Sequence, residues 1–250
     1  MKSITKKISL LLVLSSVLLL SSCLDSGENS YIGNQEPSYV TQGKTTGVIY
    51  ARTIAGYLIT SPKIELLTPG TIALISYQVT EESENVIVDD NIVARKVVIA
   101  AEPETLNQTQ LQLSAAPIDV LGEKFETLRE PIYASNEYFG DRWIFSYTFK
   151  IKKGENVKTY FYKASNEDAE AQDCDVLIDV RLEKLGSPES GAAEKLEGDN
   201  IVVDFSSIRM NMADKANDQG NLSIKFRYYR LDLEKPYVSN KAYSMLIDKK

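Results

Sequence analysis

Chemistry in this chain has to come from carboxylates, tyrosines and two thiols, because histidine is absent and cysteine occurs only twice, at Cys23 and Cys174. That removes the commonest general base, the commonest zinc and haem ligand, and any Ser-His or Cys-His dyad. Tetrahedral zinc needs three or four Cys or His ligands in most proteins, more than these two thiols supply. The 13 glycines form no G-x-G-x-x-G, no Walker loop and no G-x-S-x-G elbow, and no serine beyond the leader has lysine three positions later. Paired acids remain, and two carboxylates about 5–9.5 Å apart can hydrolyse a glycoside. The sharpest candidate is Asp141 beside Trp143, with Glu137 just before them, since an aromatic platform next to an acid suits a sugar. Trp143 nevertheless falls on the apolar face of an alternating segment, where its simplest role is in the core.

Cys23 has a different chemistry. Lys2, Lys6 and Lys7 precede the apolar run from Ile8 to Leu20, and Leu20-Ser21-Ser22-Cys23 matches the bacterial lipobox, in which small residues precede a lipidated cysteine. The match implies cleavage before Cys23, acylation of its thiol and amine, and a membrane as partner through that anchor. Each buried methylene contributes about 0.8 kcal/mol, so two or three acyl chains hold a protein where one would not. The expected location is the cell envelope, at the outer membrane, with palmitate among the acyl groups. Cys174 lies between Asp173 and Asp175, whose charges disfavour its thiolate.

The net charge is −7, and the three leader lysines make the mature chain more acidic still. An acidic chain argues against nucleic acid and anionic lipid as partners. Glu81-Glu82-Ser83-Glu84 and Asp89-Asp90 have the oxygen content a hard cation wants, as does Asp214 to Gly220, but the spacing is that of solvated turns. No metal or cofactor is expected. Tyr228, Tyr229 and Tyr237 offer either a partner-binding patch or half-buried packing.

Beyond about Tyr39 the apolar residues repeat every second position. Trp143, Phe145, Tyr147, Phe149 and Ile151 share one face, and Lys152 to Asn156 reads as a turn into a returning hairpin strand, Val157 to Tyr162. Val176, Ile178, Val180 and Leu182, then Leu222, Ile224, Phe226 and Tyr228, repeat the pattern. Earlier strands are expected at 47–51, 57–60, 71–80 and 92–101, and short helices near 104–111 and 123–128. The chain therefore divides into a leader (1–22), an anchor and flexible tether (23–40), a small β-barrel (41–130) and an antiparallel β-sandwich (131–250).

Lipobox, acidic tether, the Pro69-Gly70 turn into the alternating strand Thr71 to Val79, and the late pair Val202 to Ile208 and Gly220 to Tyr228 together resemble the NigD-like lipoproteins of Bacteroides-type bacteria. The resemblance implies an all-β chain with an OB-like barrel followed by a β-sandwich. It implies a non-enzymatic, lipid-anchored envelope protein that binds a protein or peptide partner, in the form of bacteriocin immunity, and it transfers no site residues. The alternative is a glycan-binding accessory lipoprotein. Cys23 is the expected anchor, and Asp141, Trp143, Tyr228 and Tyr229 are the candidate partner or glycan contacts.

Overall fold

The structure, a computed structural model, describes residues 30–117, 122–134, 139–165 and 173–247. Cys23 and Glu137 lie outside the described residues.

The first module is one curled sheet. Its strands are β1 (Tyr31–Gln42), β2 (Ile49–Thr53), β3 (Leu58–Thr60), β4 (Ile72–Val79), β5 (Asn85–Asp89), β6 (Ile92–Lys96), β7 (Val98–Ile99) and β8 (Glu104–Thr105). Long β1 pairs antiparallel with both β2 and β4, and β2 continues into β3. Parallel pairing joins β6 to β3, while β7, one residue further on, pairs with β4. The break falls at Val97, whose N–H donates to the Thr60 carbonyl. One chain segment thus hands over from β3 to β4 and closes the ring, which is the OB-like barrel expected. Inside it, Ile75, Tyr77 and Val79 of β4 pack with Val40, Ala51 and Ile59.

Residues 31–40 were expected in the tether and instead form most of β1. Their pattern is hidden by buried polar groups. A bulge between Gly33 and Glu36 turns the Glu36 carboxylate inward, where it accepts from Tyr77 (2.8 Å), Tyr31 (3.1 Å) and the Ala55 N–H (3.0 Å). Burial, and then the Glu36 acceptor, raise the Tyr77 hydroxyl well above its ordinary value.

The second module is a sandwich. One sheet holds, in order, β10 (Phe125–Leu128), β11 (Arg142–Lys152), β14 (Glu194–Asp204) and β9 (Asn107–Gln110). The other holds β12 (Glu155–Lys163), β13 (Val176–Gly186), β15 (Asn221–Tyr228) and β16 (Tyr237–Val238), with β17 (Tyr243–Leu246) also on β15. The alternating face of β11 meets Phe161, Ile178, Val180, Ile224 and Phe226 in a shared core.

Several expectations are corrected. The segments expected as helices are the strands β8, β9 and β10, and a six-residue helix, α1 (Ser206–Asn211), was not foreseen. β11 and β12 are not a paired hairpin: β11 pairs with β14 and β12 with β13, so the turn carries the chain from one sheet to the other. Nor is the sandwich wholly antiparallel. β13–β15 and β9–β14 are parallel, because the chain leaves each sheet and re-enters it by a crossover. Pairing changes modules at Leu106, so strands within 107–130, expected in the barrel, belong to the sandwich. A small cluster of Ile72, Leu106, Phe139, Ile144 and Val202 packs barrel against sandwich.

Candidate functional site

Trp143 is 1% exposed. Its ring stacks on Tyr133 at 4.2 Å and meets Phe205 edge-on at 5.1 Å, so no face remains for a sugar. Asp141, just before β11, is clamped by Arg209 of α1 through three contacts of 2.7–2.9 Å. This bidentate pair ties the helix to the strand and occupies both carboxylate oxygens. The pair read as a glycan site is therefore core and clamp.

Tyr228 and Tyr229 diverge because successive strand residues face opposite ways. Half-buried Tyr229 lies on the outer face of its sheet under the Arg181 guanidinium, 5.0 Å from the ring centroid. Nearby, Asp179 accepts two bonds from Arg227, at 2.6 and 2.8 Å. Tyr228 turns inward against Tyr237, with ring centroids 5.3 Å apart.

Tyr228 and Tyr237 line a cleft of about 320 Å³ at one open end of the sandwich. Its walls are the chain leaving β10 (Leu128, Arg129) and the β16–β17 connection (Lys241), with Tyr243 beyond. Lys241 is bonded to Glu130 at 2.6 Å across the rim. Ser239 holds the connection in place, accepting from the Phe226 N–H (3.1 Å) and donating to the Lys241 carbonyl (3.0 Å). Burial pushes the Tyr243 hydroxyl up to about 12, with the Glu130 charge adding to it. Burial, and then Tyr237, also raise Tyr228. Both hydroxyls therefore stay protonated donors at any physiological pH.

A second cleft, also about 320 Å³, opens where the barrel meets the sandwich. Gln35, Pro37 and Leu74 face Ser146, Thr148 and Asn200 across it. Arg129 lines both clefts. Arg129, Lys241 and Tyr243 carried no signal in the sequence, because three separate segments meet only through the sheet topology.

The acidic turns serve the fold. Asp89 accepts from the Lys44 N–H and from both the N–H and hydroxyl of Thr45, which hold its carboxyl down at about 2. Asn217 in the Asp214 segment accepts the N–H groups of Gln219 and Asn221. Among the described residues no group of three or more acids, cysteines or histidines is placed to hold a metal. Burial raises the Cys174 thiol above its ordinary range, and Asp175 and Asp173 add to that while Lys225 opposes it.

An all-β chain with an OB-like barrel leading into a sandwich is the class of protein that fold and clefts define. Solved structures share it. A NigD-like immunity protein from Bacteroides caccae superposes with a TM-score of 0.53 at 15% identity, over 85% of this chain and 97% of its own. A candidate lipoprotein from Bacteroides fragilis gives 0.56 at 12% identity, covering 88% and 99%. An uncharacterized protein from Parabacteroides merdae gives 0.56 at 15%, covering 86% and 99%. The family resemblance read in the sequence thus holds at the level of fold. No family model and no curated protein matches the chain. Among the described residues no helix is long and apolar enough to cross a membrane.

Proposed function

We propose that this is a lipid-anchored envelope protein that binds a protein or peptide partner in the tyrosine-lined cleft of its sandwich. The observation that carries this is that three tyrosines from separate segments, Tyr228, Tyr237 and Tyr243, converge on that cleft. Tyrosine offers apolar area and a polar tip at small entropic cost, which suits recognition. The fold shared with an immunity protein supports a partner that is a protein, and bacteriocin immunity is the form in which we hold it. The Cys23 anchor would confine the cleft near a membrane and raise its effective concentration for anything arriving there.

A photo-cross-linking residue at position 237, compared with one at 229 on the other face, tests the reading in intact cells. The expected result is a specific envelope protein or bacteriocin captured from position 237 only, and lost when Cys23→Ser releases the chain. Equal capture from both positions, or capture of polysaccharide alone, would overturn it.

A further inference from the structure

We infer that the partner presents a carboxylate to Arg129, beside an apolar or aromatic side chain that enters the tyrosine cleft. This rests on the binding function proposed above and names the chemistry of what is bound.

Arg129 stands apart from the other arginines. Arg95, Arg209, Arg227 and Arg230 donate to oxygen acceptors on neighbouring residues. Arg52 and Arg142 lie over Tyr50 and Tyr39, and Arg181 lies over Tyr229 while facing Asp179. Arg129 is exposed and makes no such contact among the described residues. Its main chain is nonetheless fixed, since its N–H donates to the Ser146 carbonyl at 2.9 Å and Pro131 follows two residues later. The base of the side chain is therefore fixed on the ridge between the two clefts, from which the unbonded guanidinium can swing over either, while nearby acids are engaged elsewhere. Glu130 is bonded to Lys241, and Asp199 accepts from Tyr147 (3.0 Å) and the Asn200 N–H (2.8 Å).

A guanidinium offers a planar fork that fits a carboxylate with two parallel bonds. The wall beside it suits an extended peptide. β16 ends its sheet and β10 ends the facing sheet, so two strand edges flank the cleft. Past Phe125, which bridges to Arg230, β10 makes no further ladder on its outer side. Edges of this kind take a peptide by main-chain hydrogen bonding, with alternate side chains supplying specificity. One side chain would reach the tyrosines and a neighbouring acid would reach Arg129.

The test pans random twelve-residue peptides on phage against the full chain, purified from membranes in detergent. Recovered peptides are then titrated against Arg129→Ala, Arg129→Lys and Tyr237→Ala. Both positions are at the surface or half-buried, and the melting temperature of each variant checks folding. Expected are peptides with Asp or Glu near an apolar residue, losing about tenfold or more in affinity on Arg129→Ala, as removal of a charge-assisted bond does. Arg129→Lys should recover only part. Peptides lost on Tyr237→Ala yet indifferent to Arg129→Ala would overturn the carboxylate and leave the binding function standing. No peptide binding, with an acidic polysaccharide such as alginate bound instead, would overturn both.

Discussion

Removing the carboxylate of Asp179 should be the most damaging single change in the outer face of the sandwich. Its side chain is 5% exposed and that of Arg227 is 14% exposed, so the pair is desolvated and joined by bonds of 2.6 and 2.8 Å. Arg181 adds a third charge at 3.7 Å. Asp179→Ala removes two charge-assisted bonds, each contributing roughly 1.5–3 kcal/mol. It also takes a shared carboxylate from two partly buried guanidiniums, and breaking a buried pair from one side costs about 3–5 kcal/mol. With a urea slope of about 2 kcal/mol per molar, the unfolding midpoint should fall by about 2 M. Trp143 is the only tryptophan, and it packs 6.2 Å from Phe226, the residue before Arg227, so its fluorescence reports on this module. The partner experiment replaces both ends, Asp179→Leu with Arg227→Met. Apolar replacement of a buried pair is often neutral, so the share of the loss that came from Arg227 should be restored, while Arg181 stays without its carboxylate. A midpoint shift under about 0.5 M for Asp179→Ala, or a double variant as weak as the single, would refute the reasoning.

Two further changes probe the barrel. Gly43→Ala would drive a Cβ into the Val88 carbonyl oxygen, a main-chain atom that cannot turn aside, and should cost about 1–3 kcal/mol. Faster amide exchange in β5 would report it, whereas Gly198→Ala, with nearest neighbours at 3.6 Å, should leave exchange unchanged. Asp89 titrates at about 2 in the folded barrel, below its ordinary 3.8. The folded state binds that proton more weakly than the unfolded chain, so the carboxylate's contribution is present above about pH 4 and lost as pH falls toward 2. A carboxyl titration followed by NMR should show a midpoint near 2, and one at 3.8 would mean that the Thr45 bonds do not form in solution.

Fold class was legible because the long strands are apolar on one face only. The alternation from Trp143 to Ile151 reproduces the buried face of β11 residue by residue. Sheet partners were not legible, since alternation says which face is buried and not which strand lies alongside; hence the mistaken β11–β12 hairpin. β9 was missed for another reason. Asn107-Gln108-Thr109-Gln110 is polar throughout and is a strand only because its main chain pairs with β14. β1 was hidden by Glu36 and Ser38, polar residues that sit inside the barrel and are satisfied there. The cleft was half visible: Tyr228 and Tyr237 stood out as aromatics, but pairing Asp141 with Trp143 by proximity in sequence failed, because Trp143 faces the core while Asp141, just before the strand, is taken up by Arg209.

The distribution of open strand edges separates the two modules. In the barrel, the handover at Val97 closes the ring, and the remaining edge strand β5 is capped where Thr46 donates to the Val88 carbonyl and Asp89 takes the N–H groups of the same loop. An OB-like barrel that binds nucleic acid would be expected to offer aromatics and cations along an open face. Here the aromatic cluster of Tyr31, Tyr57 and Tyr77 gathers instead around the Glu36 carboxylate, whose charge would repel a phosphate. In the sandwich, β10 and β16 end their sheets on either side of a cleft lined by Tyr228, Tyr237 and Tyr243. Exposed edges invite unwanted pairing unless they are covered or charged, and this one carries the Glu130–Lys241 pair at its rim. An edge flanked by a surface ion pair, beside an arginine with no partner among the described residues, is what the proposed acidic peptide would meet.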